Sequence, residues 1–331
     1  MKVPFWSPGR DFQKYEQDYM QTIRRVLLNG DLILRDDVAE FENRFADAVG
    51  TKYAVGVASG TDALFLSLKV LGIGKGDEVI VPGYTFRATI EAVHHSDAKP
   101  VLVDFDEDFR RYITKKTKAI MPAHIAGAVK RWIHEPIPTI EDACQAVTAA
   151  PVYGLTACYS FYPAKILGCF GDGGAIATND DGIYRELIKM RNHYKGDWSK
   201  YGYNSRLDNL QAAILNLKLK RLPAAIERRK VIALMYDQGL SGLPLVGEFD
   251  RDVYQDYIVT LESVERRDSL HDFLAMKGIG TLKDGYPFPD ESPKPPHTAI
   301  YESHRLRLPC NPELKNEEVE YVIERIQQFY N

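Results

Sequence analysis

Seven short apolar runs punctuate the first two-thirds of the chain: Ala54–Ala58, Glu78–Pro82, Pro100–Asp104, Lys118–Pro122, Ile137–Glu141, Ala157–Phe161 and Ala175–Thr178. Their apolar residues are mostly consecutive, not alternating, which predicts strands buried on both faces of a largely parallel sheet. Helical patterns lie between them. Thr61–Leu71 is apolar nearly all round and reads as a buried helix. Asp181–Met190 sets Ile183, Leu187 and Met190 on one face, and Arg206–Leu222 repeats Leu207, Leu210, Ile214 and Leu217. Strand alternating with helix predicts a doubly wound α/β domain.

The texture changes after Pro223. A charged helix around Glu227–Leu240, a strand at Val253–Thr260, a helix near Asp268–Lys277 and a last helix capped by Asn316 predict a smaller α+β lobe. The expected division is 1–225 for the large domain and 226–331 for the small one, with a substrate cleft at their junction. A proline cluster runs from Pro287 to Pro296, and no internal repeat is present.

Composition narrows the function classes. Of 331 residues, 45% are hydrophobic and 27% charged, as in ordinary globular proteins. A net charge of -4, without a basic stripe, gives no footprint for nucleic acid or anionic lipid. Apolar stretches of about five residues fall far short of the ~20 that span a bilayer. The start, Met1 to Pro8, lacks the apolar region of a secretory signal. Cys144, Cys158, Cys169 and Cys310 show no C-x-x-C pairing, so no metal site is expected, and they read as buried thiols of a cytoplasmic protein.

Three segments carry candidate chemistry. In Ser59-Gly60-Thr61-Asp62 a strand gives way to a helix, whose first N–H groups and positive end suit an anion. Taken alone, such a segment is more often an ordinary structural cap. In Glu141-Asp142-Ala143-Cys144-Gln145 acidic side chains end a buried strand, and a carboxylate there needs a cation, such as a protonated pyridine nitrogen, or it would be neutralised. The alternative is a helix-capping Asp. In Ser160-Phe161-Tyr162-Pro163-Ala164-Lys165, ahead of Gly171–Gly174, a lysine follows a buried strand, where it could form a Schiff base once burial lowers its pKa. A surface lysine is the commoner fate of such a residue.

Together and in this order, these segments resemble the DegT/DnrJ/EryC1/StrS family of pyridoxal-phosphate-dependent sugar aminotransferases. Gly76–Pro82 with Thr85-Phe86, Lys99–Asp104, Thr117–Ile120 and Gly202–Asp208 running into Gln211–Leu215 match as well. The resemblance extends from about residue 5 to the C-terminus. It implies fold-type-I architecture: a mainly parallel seven-stranded sheet with helices on both faces, plus the smaller C-terminal domain.

The resemblance also implies site roles. Lys165 falls on the lysine that bonds pyridoxal 5'-phosphate and moves the proton. Asp142 falls on the acid facing the pyridinium nitrogen, Phe86 on the aromatic covering the ring, and Gln145 on the polar side chain beside it. Gly60, Thr61 and Ser160 fall on the phosphate cradle. Asn204 falls on a residue that reaches the phosphate from the neighbouring subunit, which implies a homodimer with shared sites. The implied reaction moves an amino group from L-glutamate to a C-3 or C-4 keto group of a nucleotide-linked deoxy sugar. The alternatives are a non-catalytic binding protein of the same fold, or a dehydratase, in which histidine stands where this chain has Lys165.

The chain departs from the family in being short at 104–117, 124–140 and 145–160. It also reads Lys283-Asp284-Gly285-Tyr286-Pro287 where the family often has His-Tyr-Pro. Cys144, Cys158 and Cys169 read as core. His124 reads as a satisfied structural histidine that could line the cleft, while Tyr254 and Tyr257 read as core.

Overall fold

The structure is a computed structural model that describes residues 1–247, 251, 253–288 and 293–331; part of the proline cluster, 289–292, lies outside them. Residues 8–49, where the apolar pattern predicts nothing, form α1 (Pro8–Lys14), α2 (Glu16–Asn29) and α3 (Asp36–Val49). Then follow β1 (Tyr53–Val57), α4 (Gly60–Val70), β2 (Glu78–Pro82), α5 (Arg87–His95), β3 (Lys99–Val103), β4 (Thr117–Ile120), β5 (Ile140–Asp142), β6 (Thr156–Ser160), β7 (Gly174–Thr178) and α6 (Asp181–Met190). All seven predicted strands are present.

They form one curved layer in the order β3-β2-β4-β5-β6-β7-β1, joined between β4 and β5 by parallel bridges at Ile120–Thr139 and Ala123–Asp142. Pairing is parallel from β3 to β6, but β7 runs antiparallel to both β6 and β1. The link from β6 to β7 is a loop that turns the chain back beside β6, without the crossover a parallel neighbour requires.

Alternate residues of each strand feed opposite faces. Val55, Val57, Cys158 and Ile176 pack with α4, α5 and α6; Ala54, Ala157, Tyr159, Ala175 and Ala177 pack with α3 and a long helix described below. The three links expected to be short carry no α-helix, only 3-10 turns at Phe109–Tyr112 and Ile125–Gly127. Over β2, β3 and β4 an aromatic pair does the covering instead. Phe109 and Trp132 stack at 5.0 Å and bury Ile80, Val103 and Ile120.

The sequence predicts two helices broken at Pro223. The structure has one, α7 (Asn209–Gly239), with Pro223 inside it. A proline deletes one helical hydrogen bond, but both halves are held by packing: Leu215, Leu219 and Leu222 in the large lobe, Ile232, Ala233 and Tyr236 in the small one. The expected boundary at 225/226 falls within this helix.

The small lobe holds β8 (Leu245–Gly247), β9 (Tyr257–Leu261), α8 (Val264–Met276), β10 (Leu282–Lys283), α9 (Pro296–Ser303), β11 (Arg305–Leu308) and α10 (Asn316–Tyr330). Its antiparallel sheet runs β10-β11-β9-β8. Val3, from the start of the chain, bridges to Ile279 and belongs to this lobe's core. The strand begins at Tyr257 rather than Val253, and Gln255 and Asp256, just before it, line the cleft. Asn316 is the first residue of α10 and not its cap; Glu318 turns back to accept the Lys315 N–H at 2.9 Å.

Candidate active site

The cleft lies beyond the carboxyl ends of the large-lobe strands, where open α/β sheets hold ligands. A cavity of about 440 Å³ there is lined by Gly60, Thr61, Phe86, Asp142, Gln145, Ser160 and Lys165. Seven of the eight site residues expected from the sequence therefore share one space. The eighth, Asn204, is exposed, bridges to Asn192, and does not line the cavity of its own chain.

The anion end is built by α4. Ser59 caps it, accepting the Asp62 N–H at 3.0 Å, so the N–H groups of Gly60 and Thr61 keep no partner among the described residues. Gly60 has to be glycine for space. A Cβ there would lie 2.7 Å from Ser160 Cβ and 2.9 Å from Cys144 Sγ. This close approach sets the Ser160 hydroxyl beside the helix end.

Asp142 ends β5 and is buried. Its Oδ2 accepts the Thr89 hydroxyl at 2.6 Å, and its Oδ1 accepts the Cys144 N–H at 3.2 Å. Thr85 lies 2.7 Å from Thr89. A carboxylate only accepts, so the hydroxyl relay runs from Thr85 through Thr89 to Asp142. No cation pairs with Asp142 among the described residues. A buried carboxylate in that state fits a cationic ligand atom. The free N–H groups at α4 fit an anionic one. A pyridinium ring carrying a phosphate offers both.

Lys165 stands on the loop after β6. Desolvation lowers its pKa and the Arg307 charge adds to this, while Cys144, Asp142 and Asp256 work in the opposite direction. The loop is gripped from the small lobe. The Gln255 side chain donates to Ala164 O at 2.9 Å and accepts the Ile166 N–H at 3.1 Å, one bond on each side of Lys165.

The small lobe supplies a wall that sequence reasoning missed. Arg307 Nη1 donates to Asp256 at 2.6 Å and its Nε to Asp284 at 2.8 Å. Asp284 also accepts the Tyr84 hydroxyl at 2.7 Å. Arg305-Leu306-Arg307-Leu308 alternates, which signals two arginines on one face of a strand, but nothing local ties them to a cleft. Tyr286 meets Phe86 edge-on at 4.7 Å. Phe5 and Trp6 close the rim.

Cys158 and Cys169 are core, as expected, but Cys144 lines the cavity. Desolvation raises its thiol pKa, so it stays protonated. His124 is both satisfied and cavity-lining: its Nδ1 accepts the Lys130 N–H, which leaves Nε2 to donate to Glu141 at 3.0 Å. Gln145 is tied down by accepting the Ala126 N–H at 2.8 Å. Tyr254 and Tyr257 lie in the small-lobe core. No described helix is long and apolar enough to cross a membrane.

Known proteins resemble this chain over nine-tenths or more of its length. The dTDP-3-amino-3,4,6-trideoxy-alpha-D-glucose transaminase of Streptomyces venezuelae is 36% identical over 371 aligned positions, covering 99% of this chain and 96% of that protein. A UDP-2-acetamido-2-deoxy-3-oxo-D-glucuronate aminotransferase of Pseudomonas aeruginosa is 38% identical, covering 91% and 92%. The crystal structure of Streptomyces venezuelae DesV with a ketimine intermediate superposes with a TM-score of 0.92 at 34% identity, covering 100% of this chain and 99% of that one. NtdA from Bacillus subtilis with bound PMP gives 0.90 at 27%, covering 99% and 85%. The family uses pyridoxal phosphate, which NtdA holds as PMP, and with residues 13–327 matching its model the chain belongs to the DegT/DnrJ/EryC1/StrS aminotransferase family.

Proposed function

We propose that the protein transfers the amino group of L-glutamate to the C-3 keto group of a nucleotide-linked deoxy sugar, working in the cytoplasm as a homodimer. The observation that carries the chemistry is one cavity joining a desolvated lysine, a buried carboxylate and a helix end, the last two without a cation or an N–H acceptor among the described residues. C-3 is favoured over C-4 because relatives at 36 and 38% identity are named for 3-amino or 3-oxo sugars. Four free cysteines suit a reducing compartment.

Pyridoxal phosphate, when bound, supplies an electron sink for the carbon that loses its proton. This chain's residues do the rest. The N–H groups of Gly60 and Thr61, with the Thr61 and Ser160 hydroxyls, would hold the phosphate. Asp142 would pair with the ring nitrogen and keep it protonated, and Phe86 and Gln145 would complete the hold on the ring. Lys165 Nζ, whose pKa burial lowers, is the group that would carry the proton between donor and acceptor. Asn204, exposed on its own chain, reaches the partner's phosphate.

The test is turnover of dTDP-, UDP- and GDP-linked 3- and 4-keto sugars with L-glutamate, read by mass spectrometry of the amino sugar. Amination of a 3-keto sugar is the expected result. No product from any member of the panel would sink the substrate assignment.

A further inference from the structure

Of the guanidinium groups around the cleft, Arg229 differs in its charge balance. Arg307 meets two carboxylates, and Arg305 lies 3.1 Å from Asp284. Arg229, on α7, is only 5% exposed. Its Nη1 donates to three backbone carbonyls, those of Tyr254, Gln255 and Cys310, at 3.1, 2.9 and 2.7 Å. Its Nε is sealed without an acceptor, and neither an acceptor for Nη2 nor a paired carboxylate is present among the described residues. The acid that feels its charge is Glu313, which makes no ion pair with it. Burial, reinforced by Asp11, pushes the Glu313 pKa up toward the neutral form. Three carbonyl dipoles offset only part of the cost of burying a full positive charge.

The place of this residue suggests what completes it. Two cavities of about 440 Å³ each meet here, and Lys165, Arg229, Asn311 and Trp6 line both. Asn311 is committed already, donating to Phe5 O and accepting from Ser7. Arg229 is thus a buried cation with open donor capacity on the same wall as the lysine. We propose that Arg229 receives a carboxylate of the amino-acid donor and so sets its amino group toward Lys165, an inference that rests on the aminotransferase reading. A guanidinium pairs well with a carboxylate. A compact amino acid reaches this depth, whereas a nucleotide diphosphate carries a bulky base and would pass the Asp256 carboxylate on the same wall.

The experiment compares wild-type holoenzyme with Arg229→Gln and Arg229→Lys. Three quantities are measured: KM for L-glutamate, KM for the keto sugar, and the dissociation constant of glutarate, a dicarboxylate that cannot react. Losing a charge-assisted contact should raise the glutamate KM and the glutarate constant in Arg229→Gln by about 10- to 100-fold. The sugar KM should stay within about threefold of wild type, because the sugar does not use that contact. Arg229→Lys, which keeps the charge and loses the fork, should fall between. If both KM values rise together, or neither rises, Arg229 only ties the small lobe together and the proposal is overturned. Should Arg229→Gln fail to fold, an unchanged glutarate constant in Arg229→Lys overturns it equally. Wild type that binds glutarate but accepts no amino group from glutamate would instead overturn the aminotransferase reading.

Discussion

Asp142 is a carboxylate that the fold removes from water and supports with a hydroxyl and an amide. Thr89 supplies the shorter of those contacts, and Thr85 stands behind it. Thr89→Val is therefore expected to loosen the hold on the cofactor by about 10- to 100-fold, the worth of one hydrogen bond to a charged group. Equilibrium dialysis measures this, and Thr89→Ser should restore retention; cofactor affinity equal to wild type in Thr89→Val would show that Asp142 does not depend on the hydroxyl.

The amine of Lys165 gives a pH test. Asp256 raises its pKa and Arg307 lowers it. Asp256→Asn removes the raising charge and frees the Arg307 charge, so both changes drive the pKa further down. The rate at which cofactor-free protein captures pyridoxal phosphate should then keep its plateau to lower pH than in wild type. A limb moved to higher pH would contradict the assignment. Gly60, Asp142, Ser160 and Lys165 were legible in the sequence because each lies at or a few residues beyond the end of a strand, in a local motif. Gln255, Asp256, Arg229 and Arg307 were not. They converge from segments far apart in the chain, and each reads locally as an ordinary surface or core polar residue.

At the scale of elements, the short links between β3 and β6 are the most distinctive part of the fold. The sequence showed that they are short, but not what would cover the sheet in their place. Trp132 supplies much of that cover, and its 7% exposure marks it as core. Trp132→Ala should cost roughly 3 kcal/mol in urea unfolding, as for other large aromatic deletions. A loss below about 1 kcal/mol would mean the links collapse onto the gap. The unbroken α7 was hidden by Pro223, because a proline inside an apolar pattern reads as a break and only packing on both sides overrides it.

The helix α9 carries a second titration. Burial raises the Glu302 carboxyl to about 7, with Lys294 opposing. The folded state then holds this proton more tightly than the unfolded chain does. Its contribution is complete below the unfolded pKa and is lost as pH climbs from about 4.5 to 7. Glu302→Gln should flatten the fall in Tm over that window; identical Tm profiles for the two proteins would remove Glu302 from the account.

At the scale of the whole molecule, the exposed position of Asn204 bears on the dimer. If sites are composite, Lys165→Ala and Asn204→Asp subunits, each inactive or impaired alone, should regain activity when refolded together, since a mixed dimer contains one intact site. Activity no higher than the sum of the parents, with subunit exchange verified, would place Asn204 in its own chain's service. The change of texture near Pro223 falls inside α7. The place of the chain's start was not legible, because Val3 joins the small lobe by one short bridge that no periodic pattern announces.

The helix α7 belongs to both hydrophobic clusters at once. Cutting the chain anywhere within residues 209–239 would leave each piece with half a helix bearing an apolar stripe and no cover for it. Neither half of the molecule is thus a detachable cassette: a fragment ending inside this helix should be insoluble or unfolded when expressed alone.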